Sequence, residues 1–217
     1  RSGAPVSMPG MMDTLLNIGL CEVTVPGLLR YTGNPRLVWD AYRRLVAGYG
    51  EIVAGIPSGV FAADLQAVAG NRDERELDFA ELRNLTRLHL ASVARESGRA
   101  FPQSPDDQLQ AAILAVFASW QSDKARTYRR IKGLSDAMGT AVTVQRMVFG
   151  NAGAGSGAGV AFTRDPASGA DSLYVDWLAN AQGEDIVSGR RSLAAAPPPG
   201  AVENRLREIG AQLEREF

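Results

Sequence analysis

Residues 151–159, NAGAGSGAG, hold four glycines and three alanines. Such a run leaves backbone N–H groups unshielded, and glycine reaches the positive-φ conformations that aim several of them at one point. The loop can fold over phosphates or serve as a hairpin turn, and composition alone leaves both readings open. It is not a Walker A loop, because no Gly-Lys-Ser/Thr follows it. Guanidinium groups suited to oxyanions stand at Arg1, at Arg44 and at the Arg129–Arg130 pair. Arg43 and Arg44, within AYRRL, read equally as solvated helix residues. Carboxylates at Asp165, Asp176, Glu184 and Asp185 match the one or two that magnesium takes beside phosphate oxygens, or are ordinary loop acids. His89 is the only histidine, so a histidine pair is excluded, and its helical setting in RLHLAS points to a surface or half-buried structural role. Met8, Met11 and Met12 suit packing against a flat apolar partner or filling a core.

The elements that must position these residues divide into two stretches. Asn34 and Pro35 form an N-cap and first-turn pair, followed by Leu37, Val38, Ala41, Leu45 and Val46 at helical spacing. Helices are also predicted over 11–19, 60–69, 78–97 and 105–121, the last capped by Ser104. Within 78–97, Phe79, Leu82, Leu85 and Leu88 form an apolar stripe. After Gly139 the period changes. Residues 140–150, 155–166 and 172–180 read as strands, 181–185 as a loop, 196–200 as a breaker and 201–217 as an amphipathic helix. Helices followed by an antiparallel section make an α+β order.

The 217 residues are 45% hydrophobic and 22% charged, with a net charge of −1. That balance is ordinary for a globular chain and argues against nucleic acid or an anionic membrane as partner. No apolar run approaches the ~18 residues of a membrane span. Cys21 is the only cysteine, which excludes an internal disulfide and a cysteine-based zinc site and fits a cytoplasmic setting.

Several stretches, in order, resemble the pyruvate phosphate dikinase family: RSGAPVSMPGMMDTLLNIGL, WDAYRRL, AVFASWQSDKARTYRR, GTAVTVQRMVFGN, GSGAGVAFTRDP and LANAQGEDIVSG. The resemblance implies an incomplete ATP-grasp fold holding ATP between two α+β lobes. Residues 1–20 with 104–148 would form one subdomain, 21–103 a helical insert and 149–217 a second subdomain. The implied reaction converts ATP, pyruvate and phosphate to AMP, phosphoenolpyruvate and diphosphate through a phosphohistidine. The partner domains, carrying that histidine and the pyruvate site, are expected in the same parent chain, itself a homodimer. Arg1 matches a phosphate-contacting arginine, Gly10 and Met12 a loop over the phosphates, and Arg44 an arginine reaching from the insert. Gln145, Met147 and Val148 match the adenine edge, and Gly157, Ala158 and Gly159 a second phosphate loop. Ala158 and Ala167 replace a usual threonine and serine, and Asp176 a usual glutamate. The resemblance places the main Mg²⁺ ligands after this stretch, so no metal ligand is assigned here and the 217 residues alone are expected to be inactive. Another ATP-grasp phosphotransferase, such as a phosphoenolpyruvate synthase, or a non-catalytic helical interaction module are the competing readings.

Overall fold

A computed structural model describes residues 1–8, 10–153, 155–187 and 198–216. The chain forms two compact units, Arg1–Met147 and Val148–Phe217. Helices fill most of the first, and small antiparallel sheets occur in both, an α+β composition. Among the described residues, no helix is long and apolar enough to cross a membrane.

In the first unit, β1 (Ser2–Gly3) pairs antiparallel with β2 (Ala141–Val142), and the Thr143 N–H extends the ladder to the Arg1 carbonyl at 2.8 Å. Between these strands run α1 (Val25–Thr32), α2 (Pro35–Ile52), α3 (Ser58–Ala69), α4 (Phe79–Ser97), α5 (Pro105–Ser119) and α6 (Asp123–Lys132). The capping chemistry sets their starts. Asn34 accepts the Leu37 N–H, Ser104 that of Asp107 and Ser122 that of Ala125. Asp78 and Glu81 form a reciprocal capping box on α4. The core lies where α2 meets α4 and α4 meets α3, with Leu37, Val38, Leu45, Val46, Leu82 and Leu85 buried. Gly50 permits the close approach of α2 to α3, since a Cβ there would fall 2.3 Å from the Phe61 ring.

Three expectations are corrected here. Residues 11–19 form turns rather than a helix, because Asn17 and Gly19 take φ of 62° and 102°, outside the right-handed helical region. Asn17 is held there by its side-chain amide, which donates to the Ala41 carbonyl at 3.2 Å. The strand expected over 140–150 pairs only at Ala141–Val142, and Val144 and Val148 are exposed. Of the apolar stripe on α4, Leu82 and Leu85 are buried but Phe79 faces solvent at 52% exposure. Helix α6 has no counterpart in the apolar pattern, since its sequence DKARTYRRIK buries only Ala125 and Arg129.

In the second unit, β3 (Gly157–Phe162) and β4 (Tyr174–Ala179) form an antiparallel hairpin, with Gly157 opposite Ala179 and Phe162 opposite Tyr174. Residues 183–187, read in part as loop, form the short helix α7 (Gly183–Val187), where Asp185 accepts the Gln182 N–H at 3.0 Å. Helix α8 (Gly200–Glu216) comes near Thr163, just after β3, at Gly210, where a Cβ would lie 3.2 Å from the Thr163 side chain. Most of the breaker at 196–200 lies outside the described residues.

The capping box carries a direct expectation. Asp78→Ala should lower stability in a denaturant titration by about 1 kcal/mol, and Asp78→Ser by much less. Equal losses for both variants would show that the α4 start is held by something other than this cap.

Candidate functional site

The loop containing Gly10 and Met12 is anchored by its methionines. Met8 is buried with Trp120 and Ala125, and Met11, Met12 and Tyr128 pack around them. Trp120 follows α5 and Ala125 lies in the first turn of α6, so the loop sits on the corner between these helices. The Met11 N–H donates to the Met8 carbonyl at 3.1 Å, closing a turn around residues 8–11. Gly10 stands at its tip with φ +71°, and a Cβ there would meet nothing within 4 Å. The loop thus combines a fixed base with an open, glycine-only tip.

Arg1 and Gln145 are brought together. The β1–β2 pairing sets Arg1 opposite Thr143, two residues before Gln145, and Arg1 Nη2 donates to Gln145 Oε1 at 2.7 Å. Two residues 144 positions apart in sequence therefore share one exposed polar surface. Met147 is half-buried and Val148 is 83% exposed.

Arg44 sits elsewhere in the first unit, within an ion-pair network on α2. Its Nε donates to Asp40 Oδ2 and its Nη2 to Glu74 Oε1, both at 3.1 Å. Arg43 shares both carboxylates, at 2.7 Å to Asp40 and 3.0 Å to Glu74. Asp40 and Arg43 are buried, so neither arginine is the solvated helix residue that AYRRL also allowed. Arg36 fastens the turn bearing Glu74 by donating to the carbonyls of Glu74, Arg75 and Leu77.

The Arg129–Arg130 pair divides. Arg129 is buried, donates to Asp136 Oδ1 at 2.6 Å and to the Trp120 carbonyl at 2.7 Å, and stacks 4.0 Å from the Trp120 ring centroid. It is therefore a structural cation. Arg130 is exposed and, with Gln121, Arg126, Leu134 and Asp136, lines an open cleft of about 340 Å³.

In the second unit, Gly157, Ala158 and Gly159 lie in β3, opposite Ala179, Leu178 and Trp177. A Cβ at Gly157 would fall 2.2 Å from the Trp177 indole, and one at Gly159 would fall 2.5 Å from the Asp176 carbonyl. These glycines are thus required by the hairpin packing itself. Within 151–159, Gly153 takes a positive φ of 137°. The acids have local partners. Asp165 accepts from the Ser168 and Ala167 N–H groups and the Ser168 hydroxyl, and these bonds, Ser168 first, hold its carboxyl below the usual range. Asp176 accepts the Tyr174 phenol at 3.0 Å, and Asp185 closes the turn at Gln182. The Glu184 side chain lies outside the described residues. Among the described residues, no three His, Cys, Asp or Glu side chains form a cluster that could hold a metal ion.

These geometries can be set beside known proteins. The family described as pyruvate phosphate dikinase, AMP/ATP-binding domain, matches residues 2–195. The chain belongs to this family. A pyruvate, phosphate dikinase of Clostridium symbiosum is 46% identical over 229 aligned positions, covering 100% of this chain and 26% of the relative. That of Rhizobium meliloti (strain 1021) is 41% identical over 227, covering 99% and 25%. The chloroplastic pyruvate, phosphate dikinase 1 of Oryza sativa subsp. japonica is 46% identical over 195, covering 88% and 20%. The chain thus spans a quarter or less of the length of these curated relatives, to within a per cent or so.

Sequence reasoning missed the residues that support the family loop: Trp120, Ser119, Lys124 and Asp13. The Ser122 cap followed by Asp123 was a readable sign of a helix start beside Trp120. His89 is more deeply placed than the surface or half-buried position expected, at 2% exposure. It is buried between α3 and α4, edge-on to Phe61, with Nδ1 3.0 Å from Asp64 Oδ2, which also accepts the Ser92 hydroxyl. Burial pushes its pKa below 6.5, outweighing the opposing hydrogen bond to Asp64.

The unfolded chain therefore binds a proton at His89 that the folded chain refuses, so stability falls as pH drops below about 6.5 toward the lowered folded value. In thermal melts from pH 7.5 to 5.0, His89→Gln should flatten that decline relative to the parent chain. An identical slope in both would mean that His89 is not the group responsible.

Proposed function

We propose that this chain is the ATP-binding part of a pyruvate phosphate dikinase and belongs to an ATP-grasp region. The parent protein would convert ATP, pyruvate and phosphate to AMP, phosphoenolpyruvate and diphosphate, passing a phosphoryl group through a histidine outside these 217 residues. The subdomain division proposed is 1–20 with 104–148, an insert at 21–103, and 149–217. The observation that supports the nucleotide reading most is the 2.7 Å bond between Arg1 and Gln145. The resemblance implies Arg1 at the phosphates and Gln145 near the adenine edge, and this bond puts their side chains in contact.

Phosphoryl transfer needs positioning and charge neutralisation more than covalent help from the protein. Arg1 offers a planar guanidinium to phosphate oxygens, and the turn at Gly10 and Met12 offers backbone N–H groups, Gly10 itself carrying no side chain. Arg44 supplies a second cation, oriented by Asp40 and Glu74. The backbone of Met147 and Val148 meets the adenine edge. The resemblance assigns Gly157, Ala158 and Gly159 to a second phosphate loop; they lie in the β3–β4 hairpin, where Ala158 and Ala167 offer no hydroxyl, so that any donors there are main-chain N–H groups left free by the ladder. ATP is expected to arrive with Mg²⁺, whose main ligands the resemblance assigns outside these 217 residues; Asp165 and Asp185 accept turn N–H groups and Asp176 accepts the Tyr174 phenol. His89, the sole histidine, is buried on Asp64 and is no phosphoryl carrier, so the 217 residues alone should not turn over.

The test is phosphohistidine formation from labelled ATP by the full-length polypeptide. Arg1→Leu and Arg44→Leu should each slow it by about 10²–10³-fold. Folded protein that forms no phosphohistidine would sink this function and favour a non-catalytic helical module.

A further inference from the structure

Lys124 occupies the first turn of α6, where a cation opposes the helix dipole and gains nothing for the helix itself. Its ammonium instead donates to Asp13 Oδ1 at 3.0 Å, across 111 residues. Asp13 ends the methionine turn, and its own N–H donates to Ser119 Oγ at 3.3 Å. The buried Ser119 hydroxyl in turn donates to the Val116 carbonyl at 2.7 Å, with the Met12 sulfur 3.9 Å away. The C-terminal end of the loop is thus tied by charge to α6 and by hydrogen bonding to α5. Its N-terminal end is tied by Met8 packed on Trp120.

We propose that Lys124, acting through Asp13, is a positioning residue that latches this loop and presents Gly10 and Met12 to an incoming triphosphate. The proposal rests on the reading above that the loop covers the phosphates. The pair is partly exposed, with side-chain exposures of 49% and 26%, so it tunes loop order rather than fold stability. It also cancels the Asp13 charge, which would otherwise repel the triphosphate.

Order and electrostatics make opposite demands on the two single variants. If charge alone mattered, Asp13→Asn would tighten ATP binding and Lys124→Ala would weaken it. A latch requires both to loosen the loop and both to weaken ATP. Hydrogen exchange across residues 10–14 in the nucleotide-free, full-length polypeptide reads loop order, and calorimetric titration with ATP reads binding. Each single variant should speed exchange and raise the ATP Kd by about two- to five-fold, the size expected of a partly exposed ion pair. The exchanged pair, Asp13→Lys with Lys124→Asp, should restore both. Unchanged exchange in the single variants, tighter binding by Asp13→Asn, or no rescue by the exchanged pair would each overturn the latch. Faster exchange with unchanged ATP affinity would overturn its link to the nucleotide. Parent protein that binds no ATP would instead remove the functional reading, leaving the exchange rates to decide the latch alone.

Discussion

The first unit turns on a guanidinium buried against an indole. Arg129 donates from Nη1 to the Trp120 carbonyl and from Nε to Asp136, leaves Nη2 buried without a hydrogen-bond partner, and sets its Cζ 4.0 Å from the Trp120 ring centroid, while Trp120 Nε1 donates to the Asp136 carbonyl at 3.3 Å. One closed set of contacts thereby joins the end of α5, the body of α6 and the turn at 136–138. A lysine there would lose the planar stacking and the fork that reaches two oxygens at once. A buried charge is tolerated because its partners are already in place, and removing them leaves it stranded. Met8 then packs on Trp120, and through it the whole methionine turn inherits its position.

The helical insert solves a similar problem with four charges. Arg43 and Arg44 of α2 each contact both Asp40, on the same helix, and Glu74, which the turn anchored by Arg36 brings in. The network fixes Arg44 in one orientation on a well-packed helix. Held so, the Arg44 side chain has little rotamer freedom left.

Much of this was legible in the residues, and the rest was hidden for identifiable reasons. Asn34–Pro35 and Ser104–Pro105 announced helix starts because caps act locally. The apolar spacing at 11–19 misled because it cannot report a left-handed Asn17 held by the Ala41 carbonyl. Helix α6 escaped because the side chain it buries most fully beside Ala125 is an arginine, and burial of Arg129 depends on Trp120, nine positions away. The glycines of 151–159 were conspicuous, yet composition could not separate a phosphate cradle from a strand crossed by Trp177. The family motifs named Arg1 and Gln145 separately, whereas their contact depends on a pairing between segments about 140 residues apart, which local sequence does not report.

The central claim is that the Arg129–Trp120 corner holds the methionine turn in the form that meets ATP. It is tested most directly by comparing hydrogen exchange over residues 10–14, with and without saturating ATP, in the parent protein and in Arg129→Leu. The account predicts slowed exchange on ATP addition in the parent and loss of that slowing in a variant whose helices remain formed. Full ATP protection in Arg129→Leu would contradict it.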